Sequence, residues 1–226
     1  MRGRADEVRA LIAATYAGEL ETGSQASAAL LADAGVLDAD GRSRAVARLL
    51  GLLAEGGDQL TVGEIGLPAL LRTLAAAEEH EQIYRSVVQT SGPGYGQMLA
   101  DGATSLCEHW PGLRSRRSAN HFMLGGIGTW FLQSVAGLAQ APDGVGWRGA
   151  LVSPRPLASV PSASVRFDSP AGAYAVDWQQ DGESLRLDVA VPDGATVECL
   201  PPPEHTGTVQ MLGAGTHQIT YRRRRR

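Results

Sequence analysis

Aromatic residues are scarce in this chain, 5% of 226 residues, and cysteine is limited to Cys107 and Cys199. Two thiols in segments of different periodicity demand no disulfide, and the absence of C-x-x-C or H-x-x-x-H spacing removes the usual zinc patterns. No metal or cofactor is expected. Apolar runs long enough to span a bilayer are missing, and Met1-Arg2-Gly3-Arg4 opens without the apolar core of a signal peptide. A cytoplasmic protein without membrane contact is the expectation, although a truncated start would have lost such a signal. Basic residues are not in excess either: Lys+Arg total 20 against Asp+Glu 24, for a net charge of −4. Setting aside the terminal run Arg222 to Arg226 leaves −9 on the rest, which argues against a nucleic-acid groove. The arginine run itself reads as a solvated, disordered tail.

What is present is an ordinary globular composition, 43% hydrophobic and 19% charged, with 28 glycines and 12 prolines gathered at particular places. Up to about residue 140 the apolar residues keep helical time. Val46, Leu49, Leu50 and Leu53 follow i, i+3, i+4, i+7, and Leu67, Leu70, Leu71 and Leu74 repeat it. Ile83, Tyr84, Val87 and Val88 form another stripe, and Ile127 to Leu138 reads as a fifth, aromatic-rich helix. The Ala-rich segments 6–17 and 25–34 are helix-prone, and Pro68 suits a first helical turn. After Pro142-Asp143-Gly144 the period becomes two. Leu185, Leu187, Val189 and Val191 alternate with Arg186, Asp188 and Ala190, and Tyr174, Val176 and Trp178 do the same. With turns at Asp181-Gly182, Asp193-Gly194 and Gly213-Ala214-Gly215, roughly seven short strands fit a small antiparallel β-sandwich.

The chemistry-bearing residues lie together at Gly102-Ala103-Thr104-Ser105-Leu106-Cys107-Glu108-His109-Trp110 and Ser118-Ala119-Asn120-His121. A carboxylate, two imidazoles and an indole make a pocket for a polar, ring-shaped ligand. Taken alone, Glu108 also fits a surface or capping carboxylate, and His121 a core histidine. His109 reads as an exposed or supporting imidazole, Trp130 as core, and Cys107 as a buried, inert thiol. Gly125-Gly126-Ile127-Gly128 is no dinucleotide fingerprint, because no strand precedes it. Arg114 to Arg117 forms a loop that rims the region.

In order along the chain, these pieces resemble the closing part of bacterial α-L-rhamnosidases of glycoside hydrolase family 78. Thr22 to Leu30 is similar to a helix bearing T-Q-T-A or T-Q-S-A, and Leu60-Thr61-Val62-Gly63 with Ile65-Gly66 to L-T-T-G-x-x-G. Gln89-Thr90, Pro93, Tyr95-Gly96 and Met98 resemble Q-T-x-x-P-x-W-G-x-M, and residues 102–110 resemble G-A-T-T-x-W-E-x-W. Asn120-His121 with Gly125 to Trp130 looks like S-x-N-H-x-x-x-G-x-V/I-x-x-W. Val152-Ser153-Pro154-Arg155-Pro156, Ser169-Pro170, Gly172 and Trp178 resemble the opening of the C-terminal β-domain.

The resemblance implies a multi-domain α plus β chain. Its helical hairpins, residues 1–143, are part of an (α/α)6 toroid, followed by an antiparallel β-sandwich over 144–221 and an arginine tail over 222–226. It implies inverting hydrolysis of terminal α-L-rhamnosides, with Glu108 as general base and His121, Trp110 and Tyr95 contacting sugar. Cys107 and Tyr95 stand where the family has tryptophan, so stacking is reshaped. The D-x-P-x-R-D-E-like run that carries the general acid does not occur in these 226 residues. An inverting glycosidase needs two carboxyls roughly 6.5–9.5 Å apart on opposite faces of the sugar. Asp101 is too near Glu108 in sequence to oppose it, so the chain alone is expected to be inactive. Its partners would be rhamnose-containing glycosides and either a missing N-terminal half or a second copy, because half a toroid leaves an apolar face. A catalytically inactive carbohydrate-binding remnant and a different α/α-toroid glycosidase remain the alternatives.

Overall fold

The computed structural model describes residues 2–224, which divide into two compact units, the first ending at Ile127 and the second beginning at Gly128. The first is helical: α1 (Arg2–Thr15), α2 (Glu19–Thr22), α3 (Gln25–Asp33), α4 (Ala39–Glu55), α5 (Leu67–Ala76), α6 (His80–Val88) and α7 (Tyr95–Ala100). The stripes predicted from the sequence are buried in part: Leu49, Leu53, the α5 leucines, Ile83 and Val87 are sealed, whereas Val46, Leu50 and Tyr84 are half-buried and Val88 is exposed. On α4, Ala45, Leu49 and Leu53 repeat every fourth residue and are sealed, as are Leu67, Leu70 and Leu74 on α5. Capping fixes where two helices begin. Ser24 accepts a bond from the Ser27 N–H at 3.2 Å and Asp38 one from the Gly41 N–H at 2.8 Å. Pro68 lies in the first turn of α5 as expected.

The helices are locked to the loops by buried amides. Gln25, at the start of α3, donates from Nε2 to the Gln59 carbonyl at 2.9 Å. Its Oε1 accepts from the backbone N–H groups of Thr61 at 3.0 Å and Val62 at 3.3 Å. One side chain thereby fixes the extended entry to α5. Gln89 acts similarly after α6, donating to the carbonyls of Gly92 at 3.1 Å and Pro93 at 2.7 Å. Gly66 and Gly96 are small because neighbours pass close by: a Cβ at Gly66 would meet the Val62 side chain at 2.6 Å, and one at Gly96 the Val88 carbonyl at 2.5 Å.

The second unit opens with the last turn of α8 (Ile127–Trp130) and a π turn over Phe131–Val135, closed by the Ala136 N–H on the Phe131 carbonyl at 2.9 Å. The fifth helix expected through Leu138 therefore stops early. Gly137 takes φ +86°, and any Cβ there would press to 2.3 Å from the Pro154 nitrogen. Leu138 then enters a strand. The strands are β1 (Leu138–Gln140), β2 (Gly149–Val152), β3 (Ser162–Ser169), β4 (Gly172–Gln180), β5 (Ser184–Val191), β6 (Thr196–Cys199), β7 (His205–Thr206), β8 (Gln210–Leu212) and β9 (Gly215–Arg223). They form a four-stranded sheet in the order β1-β2-β6-β8 and a five-stranded one in the order β3-β4-β5-β9-β7. All neighbours are antiparallel except β2 and β6, a parallel pair that the alternation in the sequence did not distinguish.

Tyr174, Val176 and Trp178 of β4 and Leu185, Leu187 and Val189 of β5 are buried, as the period of two required. Cys199 of β6 lies 3.4 Å from the Tyr221 hydroxyl of β9, so the two sheets meet face to face there. The Trp178 indole donates to the Val135 carbonyl at 2.8 Å and ties β4 to the π turn. Within the expected arginine tail, Arg222 and Arg223 instead continue β9, opposite Ser184 and His205, because neighbouring strands supply their backbone partners. Arg225 and Arg226 lie outside the described residues. No helix among the described residues is long and apolar enough to cross a membrane.

Gln25→Leu keeps the bulk of that side chain but strands the buried Val62 N–H and removes the acceptor of the Thr61 N–H. We expect a loss of about 1–3 kcal/mol in urea unfolding. An unchanged midpoint would show that the clamp contributes nothing.

Candidate active site

The site is built by two loops of the helical unit. After α7 the chain reverses at Gly102, φ +87°, where the Gly102 and Ala103 N–H groups bond the Leu99 and Met98 carbonyls at 3.0 and 2.9 Å. This is the paired pattern of a glycine-terminated helix, and it accounts for the first letter of the Gly-Ala-Thr motif. Residues 105–108 then run beside 118–121. The His121 N–H donates to the Leu106 carbonyl at 2.8 Å and the Glu108 N–H to the Ser118 carbonyl at 2.9 Å. The Ser105 hydroxyl adds a bond to the Ala119 carbonyl. Sequence motifs ten to fifteen residues apart thus become one short ladder.

That ladder holds Glu108 with part of its carboxylate open to solvent. Oε2 accepts from the Ser118 N–H at 3.1 Å, and Oε1 lies 3.4 Å from His109 Nε2. The Ser118 N–H is the chief reason why the carboxyl is held below the ordinary glutamate range; desolvation opposes it, and His109, Arg117 and His121 add attraction. Glu108 is an ionised carboxylate at neutral pH. Because the shift is downward, the stability it brings is complete above the ordinary glutamate value. That stability is lost as pH falls through the lowered value.

His121 follows on the second loop, its ring stacked on Phe122 with centroids 5.3 Å apart and planes at 12°. Phe122 is 81% exposed. Nδ1 of His121 faces two groups, the Met123 N–H at 3.4 Å and the Glu64 Oε2 at 3.9 Å. Glu64 occupies the turn before α5, at an unspecified position of the Leu60–Gly66 motif, and the sequence reading passed over it. The signal available there was a carboxylate inside an otherwise apolar and glycine-rich entry.

The two expected aromatic contacts lie inward. Trp110 is 9% exposed, donates from Nε1 to the Val62 carbonyl at 2.6 Å, and meets Tyr95 edge-on at 5.3 Å. Tyr95 is buried, its hydroxyl donating to the Leu124 carbonyl at 2.5 Å, and burial pushes its phenol well above the ordinary range. The structure thus brings Glu108, His109 and His121 together, whereas Trp110 and Tyr95 are largely buried. Cys107 is a sealed thiol. Asp101 is engaged elsewhere, by Arg114 at 3.1 Å and Gln97 at 2.9 Å. No group of three His, Cys, Asp or Glu residues suited to a metal ion occurs among the described residues.

The helical unit carries this partly open carboxylate–imidazole cluster, and two packed β-sheets follow it along the chain. Residues 2–135 match the model of the bacterial alpha-L-rhamnosidase 6 hairpin glycosidase domain, and residues 137–214 that of the bacterial alpha-L-rhamnosidase C-terminal domain. The chain belongs to the bacterial α-L-rhamnosidase family. An alpha-L-rhamnosidase of Streptomyces avermitilis is 29% identical over 203 residues, covering 79% of this chain and 20% of that protein. One from Formosa agariphila is 27% identical over 198 residues, covering 84% and 21%. The crystal structure of Streptomyces avermitilis alpha-L-rhamnosidase complexed with L-rhamnose superposes with a TM-score of 0.78 at 28% identity, over 87% of this chain and 21% of that one. The chain therefore spans about a fifth of the length of the curated relatives it matches.

Ser118→Pro removes the donor to Glu108 Oε2. We expect the carboxyl titration, followed by its 13C resonance, to move up toward the ordinary value of 4.5. A midpoint that stays put would assign the depression to the neighbouring cations instead.

Proposed function

We propose that this chain carries the general-base side of an α-L-rhamnosidase that hydrolyses terminal α-L-rhamnosides with inversion. The observation that supports this reading is the Glu108 carboxylate. It is partly open, held ionised by the Ser118 N–H, and shares its ladder with His121. An ionised carboxylate that keeps access to solvent can take a proton from water as that water attacks the anomeric carbon. His121 contacts a sugar hydroxyl, and Phe122 rather than Trp110 offers an aromatic face to the deoxy sugar. Proton donation to the departing oxygen requires a second carboxyl on the opposite face. Asp101, bound to Arg114 and Gln97, does not supply it. The substrates are rhamnose-containing glycosides.

An aryl α-L-rhamnoside tests the assignment, because a good leaving group needs little acid assistance. Slow hydrolysis by the chain, reduced about 10²–10⁴-fold in Glu108→Gln, is the expected result. Equal rates in both proteins would remove Glu108 from the role of base. L-Rhamnose binding with no turnover in either would favour a carbohydrate-binding role.

A further inference from the structure

Glu64 Oε2 is buried and has no hydrogen-bond partner among the described residues, a costly state for a carboxylate oxygen. The nearest complementary group is His121 Nδ1, 3.9 Å away. Nδ1 also lies 3.4 Å from the Met123 N–H, a long contact that requires Nδ1 to be an acceptor. The two neighbours make opposite demands on one nitrogen. If Nδ1 is unprotonated, it keeps the weak Met123 bond, turns a lone pair toward a carboxylate, and leaves Oε2 unsatisfied. With a proton on Nδ1, an approach of about 1 Å gives Oε2 a charge-assisted bond of ordinary length. Met123 lies on a half-exposed turn, where its N–H can find water instead. The stacked Phe122 ring keeps the imidazole plane in place during that adjustment.

We propose that Glu64 is a positioning residue for His121: its carboxylate accepts a hydrogen bond from Nδ1–H and so leaves Nε2 as an acceptor for a sugar hydroxyl. A neutral imidazole carries one donor and one acceptor, and the partner at one nitrogen decides the role of the other. No protein group bonds Nε2 among the described residues. The other charged group known to interact with the ring is Glu108, itself flanked by His109 and Arg117. That a sugar meets Nε2 rests on the rhamnosidase reading. The Glu64–Nδ1 bond does not.

Long-range 1H–15N spectra of the 15N-labelled chain read the tautomer directly, with His121 identified by the signal lost in His121→Gln. In the wild-type chain the neutral ring is expected to carry its proton on Nδ1. Glu64→Gln, whose amide oxygen still accepts, should keep that tautomer, while Glu64→Met should shift it to Nε2–H. A wild-type ring protonated on Nε2 would overturn the proposal without reference to any variant. So would an Nδ1–H tautomer that persists in a folded Glu64→Met chain. Titration with L-rhamnose separates the two readings. Weakening of about tenfold in Glu64→Met, matching the tautomer change, supports both. The tautomer change without rhamnose binding in any form supports the role of Glu64 and contradicts the sugar site.

Discussion

The side-chain amide of Gln25 is the constraint on which the site depends. Its three hydrogen bonds fix residues 59–62 against the start of α3. The Val62 carbonyl so positioned receives the Trp110 indole, and Tyr95 packs edge-on against that ring. Trp110 stands two residues from Glu108. A buried polar clamp is therefore linked through one carbonyl and one indole to the carboxylate that meets solvent. Such a network specifies a single arrangement because each member is satisfied only in the presence of the others.

Above that base, two adjacent loops do the electrostatic work with backbone groups. The ladder joining Leu106 to His121 and Glu108 to Ser118 leaves the Ser118 N–H directed at the carboxylate. A fixed dipole favours the ionised form and needs no rearrangement when charge moves during reaction. The same ladder brings His109, His121 and Arg117 near the carboxylate, and each adds to the lowering of its titration. The loop pair thus holds an ionised carboxylate, partly open to solvent, in one orientation.

Much of this was legible in the sequence where a period or a motif carried it. The faces of α4 and α5 followed from leucine spacing, and β4 and β5 from alternation. The ordered motifs singled out two segments, around Glu108 and His121, that the structure joins in one loop pair. Other features were not legible because they depend on atoms distant along the chain. The stripe from Ile127 to Leu138 reads as a helix until the Gly137 backbone meets Pro154. The bond from the Trp110 indole to the Val62 carbonyl joins residues 48 apart and leaves no mark in either motif. Glu64 gave no periodic signal and stood at an unspecified motif position, and only the three-dimensional approach to His121 singles it out. The parallel pairing of β2 with β6 joins strands whose local patterns are indistinguishable from those of antiparallel ones.

On the function proposed above, sugar meets this chain at the Glu108–His121 loop pair. Titrating the 15N-labelled protein with L-rhamnose and mapping the amide shifts tests it most directly. The account predicts that the largest changes fall on residues 105–109 and 118–123 and at Glu64. Changes confined to another surface, or none in a folded chain at millimolar sugar, would contradict it.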